Sequence, residues 1–432
     1  MTKTDLKRKN KSSLLIKSNG TKTFVSSLVS IIVGIIVGAV IILLIGLFND
    51  KISFKTTYEG IKLIIFGIFS TGRNAFGELT FGFNPVNIGN LLFRATPVIM
   101  TGLSVAVAFK SGLFNIGAPG QYLLGTAASL FVALSLPSNR IPTIIIWLLA
   151  FIGSMIAGAL WGAIPGILKA KFNINEVLSC IMTNWIAANV VTAFFRNSVL
   201  RNTSESGKIG YVMPSGKNGV STAKLGLDIL FPGSQINAGI IVAVMISVII
   251  YILIAKTTLG YELKTCGSNK YAAQYAGIKD KRNIVLSMAI SGALSAMGAA
   301  LYYLSGNTEF FWSTYQTLPA EGFNGIPIAL LAANNPLGVI FTGIFMSALS
   351  IAGQQLKNLT AFNEHISDII ISVIVYLSAF SLLIKELVSG NNKFFKRHLD
   401  DTSPVSSDSD EEILSELSEK NFDLNAEKSD DN

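Results

Sequence analysis

Histidine is nearly absent from this chain, with only His365 and His398, and cysteine occurs twice, at Cys180 and Cys266. Two histidines almost exclude a His-based metal centre or a catalytic triad. One cysteine lies in an apolar run and the other in a basic loop, which gives neither a disulfide framework nor metal-ligand spacing. Charge is also scarce, at 14% of residues. No Asp, Glu, Lys or His falls in the middle of a clear apolar run, which removes the usual proton or sodium relay of a secondary transporter. Arg94 comes nearest, early in its run, where its head can snorkel. The stretch GYVMPSGKN (210–218) has five residues between its glycines and Asn218 after Lys217, so it is not a phosphate-binding loop. The chain is therefore not expected to hydrolyse ATP itself.

What is abundant is apolar sequence, 50% of the residues, with a mean hydropathy of +0.53. It falls in blocks rather than with a period of 2.0 or 3.6. The expected fold class is an all-α polytopic membrane protein with about eight full spans plus re-entrant or broken helices. The clear spans are 24–48, 89–109, 143–164, 177–195, 238–256, 283–305 and 366–387, with a shorter run at 121–136. Phe24–Phe48 is uncharged throughout and reads as a retained first span; an uncleaved signal anchor would look the same. The run at 61–70 is too short to cross and is expected in the interface or dipping into the protein.

Net charge is +8, but twelve of the 26 acidic residues lie in 398–432. Residues 1–397 hold 32 basic and 14 acidic groups, or +18. The basic residues cluster in loops beside spans, where they set orientation and touch anionic lipid; a nucleic-acid partner is not expected. The clusters at 1–23 and 256–282 place both segments in the cytoplasm, and the last span delivers Lys385, Lys393, Lys396 and Arg397 there too. The segments 196–237 and 306–324 then fall outside. The tail from His398 is expected to be disordered.

Two segments break the apolar pattern. SGLFNIGAPGQYLLG (111–125) carries three glycines before its final one, a proline, Asn115 and Gln121 between two runs, and irregular backbone at membrane depth is tolerated only where protein or a water-filled cavity satisfies it. Its amides either contact a neutral polar solute or merely hold the turn. In 325–355, the break at Ala333-Asn334-Asn335-Pro336 predicts a short half-helix followed by a longer one. Asn175 is expected to cap a helix starting at Glu176, with Thr183 and Asn184 facing the bundle interior. The loop 256–282 contains a short helix in which Tyr271, Ala272, Ala273, Tyr275 and Ala276 precede Gly277, where a left-handed turn can end it. Phe310, Phe311, Trp312 and Tyr315 are either an interfacial belt or an outer vestibule for a planar ligand.

GLFNIGAPGQ (112–121), INEVLSCIMTNWIA (174–187), YAAQYAGI (271–278) and GFNGIPIALLAANNPLG (322–338), in that order, resemble the membrane permeases of binding-protein-dependent ABC importers, in the branch serving simple sugars, nucleosides and branched-chain amino acids. The signature is nearest the nucleoside type. The resemblance implies an 8–10-span permease that binds no cofactor itself, with ATP and Mg used by a partner ATPase. It also implies a second homologous permease, a heterodimer, and an extracellular substrate-binding lipoprotein. One departure is Pro119, where many relatives carry an acid, so no carboxylate role transfers to it. The expected layout is a basic cytoplasmic N-terminus (1–23), an extra span (24–48), a linker or interfacial segment (49–88), the permease domain (89–390) with its coupling loop (257–282), and an acidic cytoplasmic tail (391–432). The plasma membrane is the expected location, with both termini cytoplasmic. The pathway candidates are Asn115, Gln121, Asn184, Asn334, Phe311 and Trp312; the ATPase-contact candidates are Tyr271, Ala272, Ala273, Tyr275, Ala276 and Gly277. A sugar or other small polar solute is the alternative cargo, and a secondary transporter or channel the alternative of another class.

Overall fold

The computed structural model describes residues 19–49, 52–203, 206–208, 210–306, 308–312 and 317–379. The acidic tail, the last lysines expected in the cytoplasm and most of the basic N-terminus lie outside these residues. The chain forms two units, Ser27–Ala379 and a second comprising Met1–Ser26 with Phe380–Asn432; of the latter only the start of the first helix is described.

In chain order the helices are α1 (Asn19–Phe48), α2 (Phe54–Phe66), α3 (Pro85–Lys110), α4 (Ala118–Ser135), α5 (Thr143–Phe172), α6 (Glu176–Arg196), α7 (Leu227–Leu230), α8 (Gly239–Lys256), α9 (Thr258–Ser268), α10 (Lys270–Tyr275), α11 (Asp280–Tyr303), α12 (Ala320–Leu331), α13 (Pro336–Leu359) and α14 (His365–Ala379). Among the described residues seven helices are long and apolar enough to cross a membrane. The hydrophobic run at 61–70 is the second half of the amphipathic α2, whose Gly60, Leu63 and Ile64 are buried, with a short 3-10 turn (Gly67–Phe69) and the first residue of β1; the hairpin of β1 (Ser70–Arg73) and β2 (Leu79–Phe81) follows.

The helices α3 and α11 form the centre of the bundle; nearly every residue of α3 from Ala95 to Ala108 is buried. Small residues let the backbones close. Gly158 and Gly162 of α5 face Gly292 of α11, and Gly34 and Gly38 of α1 face Ile374 and Ile370 of α14, so both GxxxG pairs are packing seams. Lipid-facing sides keep their apolar residues exposed, for example Ile144, Leu148 and Leu160 on α5.

The expected break at 333–336 is present. The helix α12 ends with Ala333 and Asn334 both left-handed, at φ 49° and 57°, and Asn335 caps α13 by accepting from the Leu337 N–H at 3.0 Å. Pro336 has no N–H to give and holds Asn335 extended, at φ −91° and ψ 119°. From there α13 climbs the length of α3. Val339 lies against Gly102, Gly343 against Ile99, and Gln355 donates to Asn87 at 3.1 Å.

The segment read as a short outer loop, 306–324, needs correction. Its last residues are the first turn of α12, of which Gly322 is buried, and this turn lies beside the middle of α3: the Thr101 hydroxyl donates to the Glu321 carbonyl at 2.9 Å, and Gly325 packs on the Thr101 backbone. Thr101 stands sixteen residues after Pro85 and nine before Lys110. At 1.5 Å per residue it lies about 24 Å from the first end of α3 and about 14 Å from the second. The helix α12 thus starts, after an extended Pro319, level with the middle of α3. A hydropathy reading misses this because Pro319, Glu321 and two glycines dilute the apolar signal.

Candidate functional site: a closed amide core, an aromatic cavity and an exposed tyrosine face

The 111–117 segment is short because α3 ends at Ser111 and Gly112, which at φ 72° takes a conformation few other residues adopt. The next helix starts deep in the bundle with Gly117 as its N-cap and Pro119 in the first turn, where a missing N–H costs nothing. Asn115 and Gln121 are both fully buried and bond to each other twice: the Asn115 amide donates to Gln121 Oε1 at 2.7 Å, and the Gln121 amide to Asn115 Oδ1 at 3.0 Å. Asn115 Oδ1 also accepts from the Gly117 N–H at 3.1 Å, and its amide reaches Ser291 Oγ at 2.7 Å and Ser104 Oγ at 3.1 Å. Ser291 in turn donates to the Ser104 carbonyl at 2.6 Å. The amides therefore tie the turn to α3 and α11.

Asn184 supplies the third wall. Its Oδ1 accepts from the Gly120 N–H and its amide donates to the Ile116 carbonyl, both at 2.9 Å. That satisfies two backbone groups which the broken helix frees. Gly120 packs on the Asn184 backbone, so this face of α4 has room for no side chain. Asn175 caps α6 through the Val177 N–H at 2.8 Å, as its position implies. Asn334 sits apart from this network in the α12–α13 turn, its Oδ1 buried without a hydrogen-bond partner among the described residues.

The two half-helices meet start to start. Gly322 in the first turn of α12 lies against the backbone of Pro119 in the first turn of α4, close enough that a Cβ at Gly322 would strike it. Two positive helix ends thus converge inside the bundle. Beside them is a cavity of about 150 Å³ lined by Leu123, Tyr303, Phe310, Phe311, Leu318 and Glu321, among others. Its aromatic wall continues inward: Tyr303 meets Phe310 edge-on at 5.4 Å, Tyr302 at 5.1 Å and Tyr122 at 6.4 Å between ring centres. Phe310 and Phe311 form β4, paired with β3 (Tyr211–Val212). The pairing sends Phe310 into the core and leaves Phe311 44% exposed against Tyr211. Trp312 is half-buried and accepts at its carbonyl from Thr192.

At the Lys110 end, α9 and α10 present a separate face. Asn269 caps α10 through the Ala272 N–H, Ala273 is buried, and Gly277 ends the turn at φ 77° with open space where a side chain would be. Ala272 lies exposed beside it and Ala276 is the C-cap. Tyr271 and Tyr275 project into solvent, 81% and 99% exposed. Glu262 accepts from the Asn283 amide at 3.0 Å and from Arg282 at 2.7 Å. The Asn283 bond holds this carboxyl below the usual range; desolvation opposes it, and the hydrogen bond and charge of Arg282 add to the lowering. Gly267 of α9 packs directly on the backbone of Lys110, Ser111 and Gly112, so the exposed face touches the start of the broken segment.

Residues 87–379 match the family model described as branched-chain amino acid transport system / permease component. The chain belongs to this permease family. Among its relatives, the guanosine ABC transporter permease protein NupP of Bacillus subtilis is 34% identical over 319 residues, covering 74% of this chain and 86% of NupP. The nucleoside ABC transporter permease protein NupB of Lactococcus lactis is 34% identical over 345 residues, 75% of this chain and 91% of NupB. The glucose ABC transporter permease protein TsgB13 of Haloferax volcanii is 31% identical over 71% of this chain and 77% of its own. No solved structure matches. The permease is a multi-pass membrane protein of an ABC system, and its family is one of transport subunits.

Three parts of the site escape a reading of the sequence: the serines Ser104 and Ser291, the carboxylate of Glu321, and the Gly267 contact. Only Glu321 left a trace, as an acid two residues after a proline that opens a half-helix.

Proposed function

We propose that this chain is a nucleoside-type importer permease that lines the substrate pathway by alternating access and does no chemistry itself, ATP and Mg²⁺ being used by a partner ATPase. The observation that carries the reading is the start-to-start meeting of two half-helices beside an aromatic cavity, since broken helices of this kind mark substrate sites in transporters. The likeness to the guanosine and nucleoside permeases supports the cargo over a sugar. Lys and Arg placement supports cytoplasmic termini, with the Lys110 end of α3 facing the cytoplasm. In this orientation Tyr271, Tyr275 and the Gly277 turn form the ATPase contact, a second permease completes a heterodimer, and a binding lipoprotein docks on the outer side. The domain layout read from the sequence, with the extra span preceding the permease domain, is retained.

Movement of α9 and α10 by the ATPase would bear on Gly112 through Gly267, and the amide core would carry the push to α4 and α6 as one body. Asn115, Gln121 and Asn184 then act by holding the broken helix, while Phe311 and Trp312 face the entrance. The test is loss of the gene: mutant cells should lose uptake of labelled guanosine and uridine and retain glucose uptake. Loss of glucose uptake alone would move the assignment to sugars.

A further inference from the structure

Glu321 presents a carboxylate that no described residue pairs with. Its backbone carbonyl is engaged by Thr101, but no described side chain makes a hydrogen bond or ion pair with its carboxylate. It is half-buried, it lines the 150 Å³ cavity, and it lies close enough to Tyr122, Tyr302 and Tyr303 to interact with each electrostatically. Tyr122 is fully buried, and its hydroxyl has no partner among the described residues. A half-buried carboxylate without a protein partner is open to a ligand's hydrogen-bond donors. The positive start of α12 tolerates the charge but makes no bond with the carboxylate oxygens.

The walls carry the rest of the argument. Tyr303, Phe310 and Phe311 offer ring faces and edges suited to a planar heteroaromatic group, and the cavity is small enough to hold that group while leaving the remainder of a solute at its mouth. A carboxylate's two oxygens can each accept from one hydroxyl of a vicinal diol. Charge-assisted bonds of this kind are about twice as strong as neutral ones. A planar ring joined to a diol-bearing sugar satisfies both walls at once.

Resting on the nucleoside reading above, we propose that the cavity between α4, β4, α11 and α12 is a nucleoside subsite in which the base packs on Tyr303 and Phe311 and the ribose 2′,3′-diol donates to Glu321. The amide core is then the scaffold beneath the subsite rather than its lining.

The test uses the purified permease–ATPase complex without its binding protein, so that the signal reports this site, and follows thermal stabilisation with increasing guanosine or 2′,3′-dideoxyguanosine. The wild type is expected to bind guanosine about tenfold or more tighter than the dideoxy analogue, the usual effect of losing bonds to a charged group. Glu321→Gln should bring the two ligands to within about twofold of each other by weakening guanosine alone. Phe311→Leu should weaken both. Glu309→Gln, which opens only the ion pair with Lys208, serves as the control. Retention of the diol preference in Glu321→Gln, or equal binding of both ligands by the wild type, overturns the subsite. A complex that transports guanosine in proteoliposomes yet is stabilised by neither ligand also overturns it. A complex that neither binds nor transports any nucleoside overturns the functional reading itself.

Discussion

Replacing Asn115 with leucine should damage the fold of the broken segment more than any surface contact with solute would suggest, and the structure gives the size of the effect. The substitution strands both ends of the Gln121 amide and the Gly117 N–H, while Ser104 and Ser291 remain bonded to each other. Each stranded buried group costs about 1–3 kcal/mol, although polar bonds in membrane bundles fall toward the lower figure. Asn115→Leu is therefore expected to lose about 3 kcal/mol. Gln121→Leu should cost less, because Asn115 keeps its bonds to Gly117, Ser104 and Ser291, and in the double variant the Gln121 amide that Asn115→Leu would strand is no longer present. The pair should show a coupling of about 1–3 kcal/mol, the double variant being less damaged than the sum of the singles. Unfolding of the purified permease in mixed micelles against rising SDS measures all four species. Additive losses would refute the closed amide pair and return these side chains to the solute.

Three further outcomes follow from the same contacts. Gly267→Val should leave insertion and ATPase binding intact but uncouple ATP hydrolysis from uptake, because the added Cβ meets the backbone of Lys110–Gly112; simultaneous ATPase and uptake assays on one preparation separate the two. Tyr275→Ala, at a side chain 99% exposed, should change the melting temperature by less than about 1 °C yet weaken ATPase association several-fold in pull-down. Glu262 is held below the usual carboxylate range, so its contribution to the 258–282 loop is complete above the unfolded pKa, near 4.3, and is lost as pH falls through the depressed folded value. Protease nicking of the 258–282 loop should therefore rise on acidification, and Glu262→Gln should flatten that dependence.

Six of the expected spans were legible because long apolar runs with at most one charge have few other uses, and the break at Asn334–Pro336 because proline leaves no alternative; the end of the run at 366–387 lies outside the described residues. Asn184 was legible as an interior amide from its place in α6, though not as the clamp on Gly120. The entry of α12 at depth was not, since length and parity alone cannot distinguish a loop that stays outside from one that descends beside α3. Ser104 and Ser291 were hidden for a related reason: single serines in apolar helices are common, and only the crossing of α3 with α11 brings these two to Asn115. The exposed face of α9 and α10 lay between these extremes. Its glycine turn and exposed tyrosines follow from local pattern, while the contact of Gly267 with Gly112 joins residues 155 positions apart.

The most direct measurement of the central claim is uptake of labelled guanosine into proteoliposomes holding this permease with the proposed ATPase and second permease, given the proposed binding protein in loaded form. Accumulation above the external concentration that requires hydrolysable ATP and stops with a non-hydrolysable analogue is the predicted result. Equilibration without ATP would show a channel or passive carrier and would contradict the account.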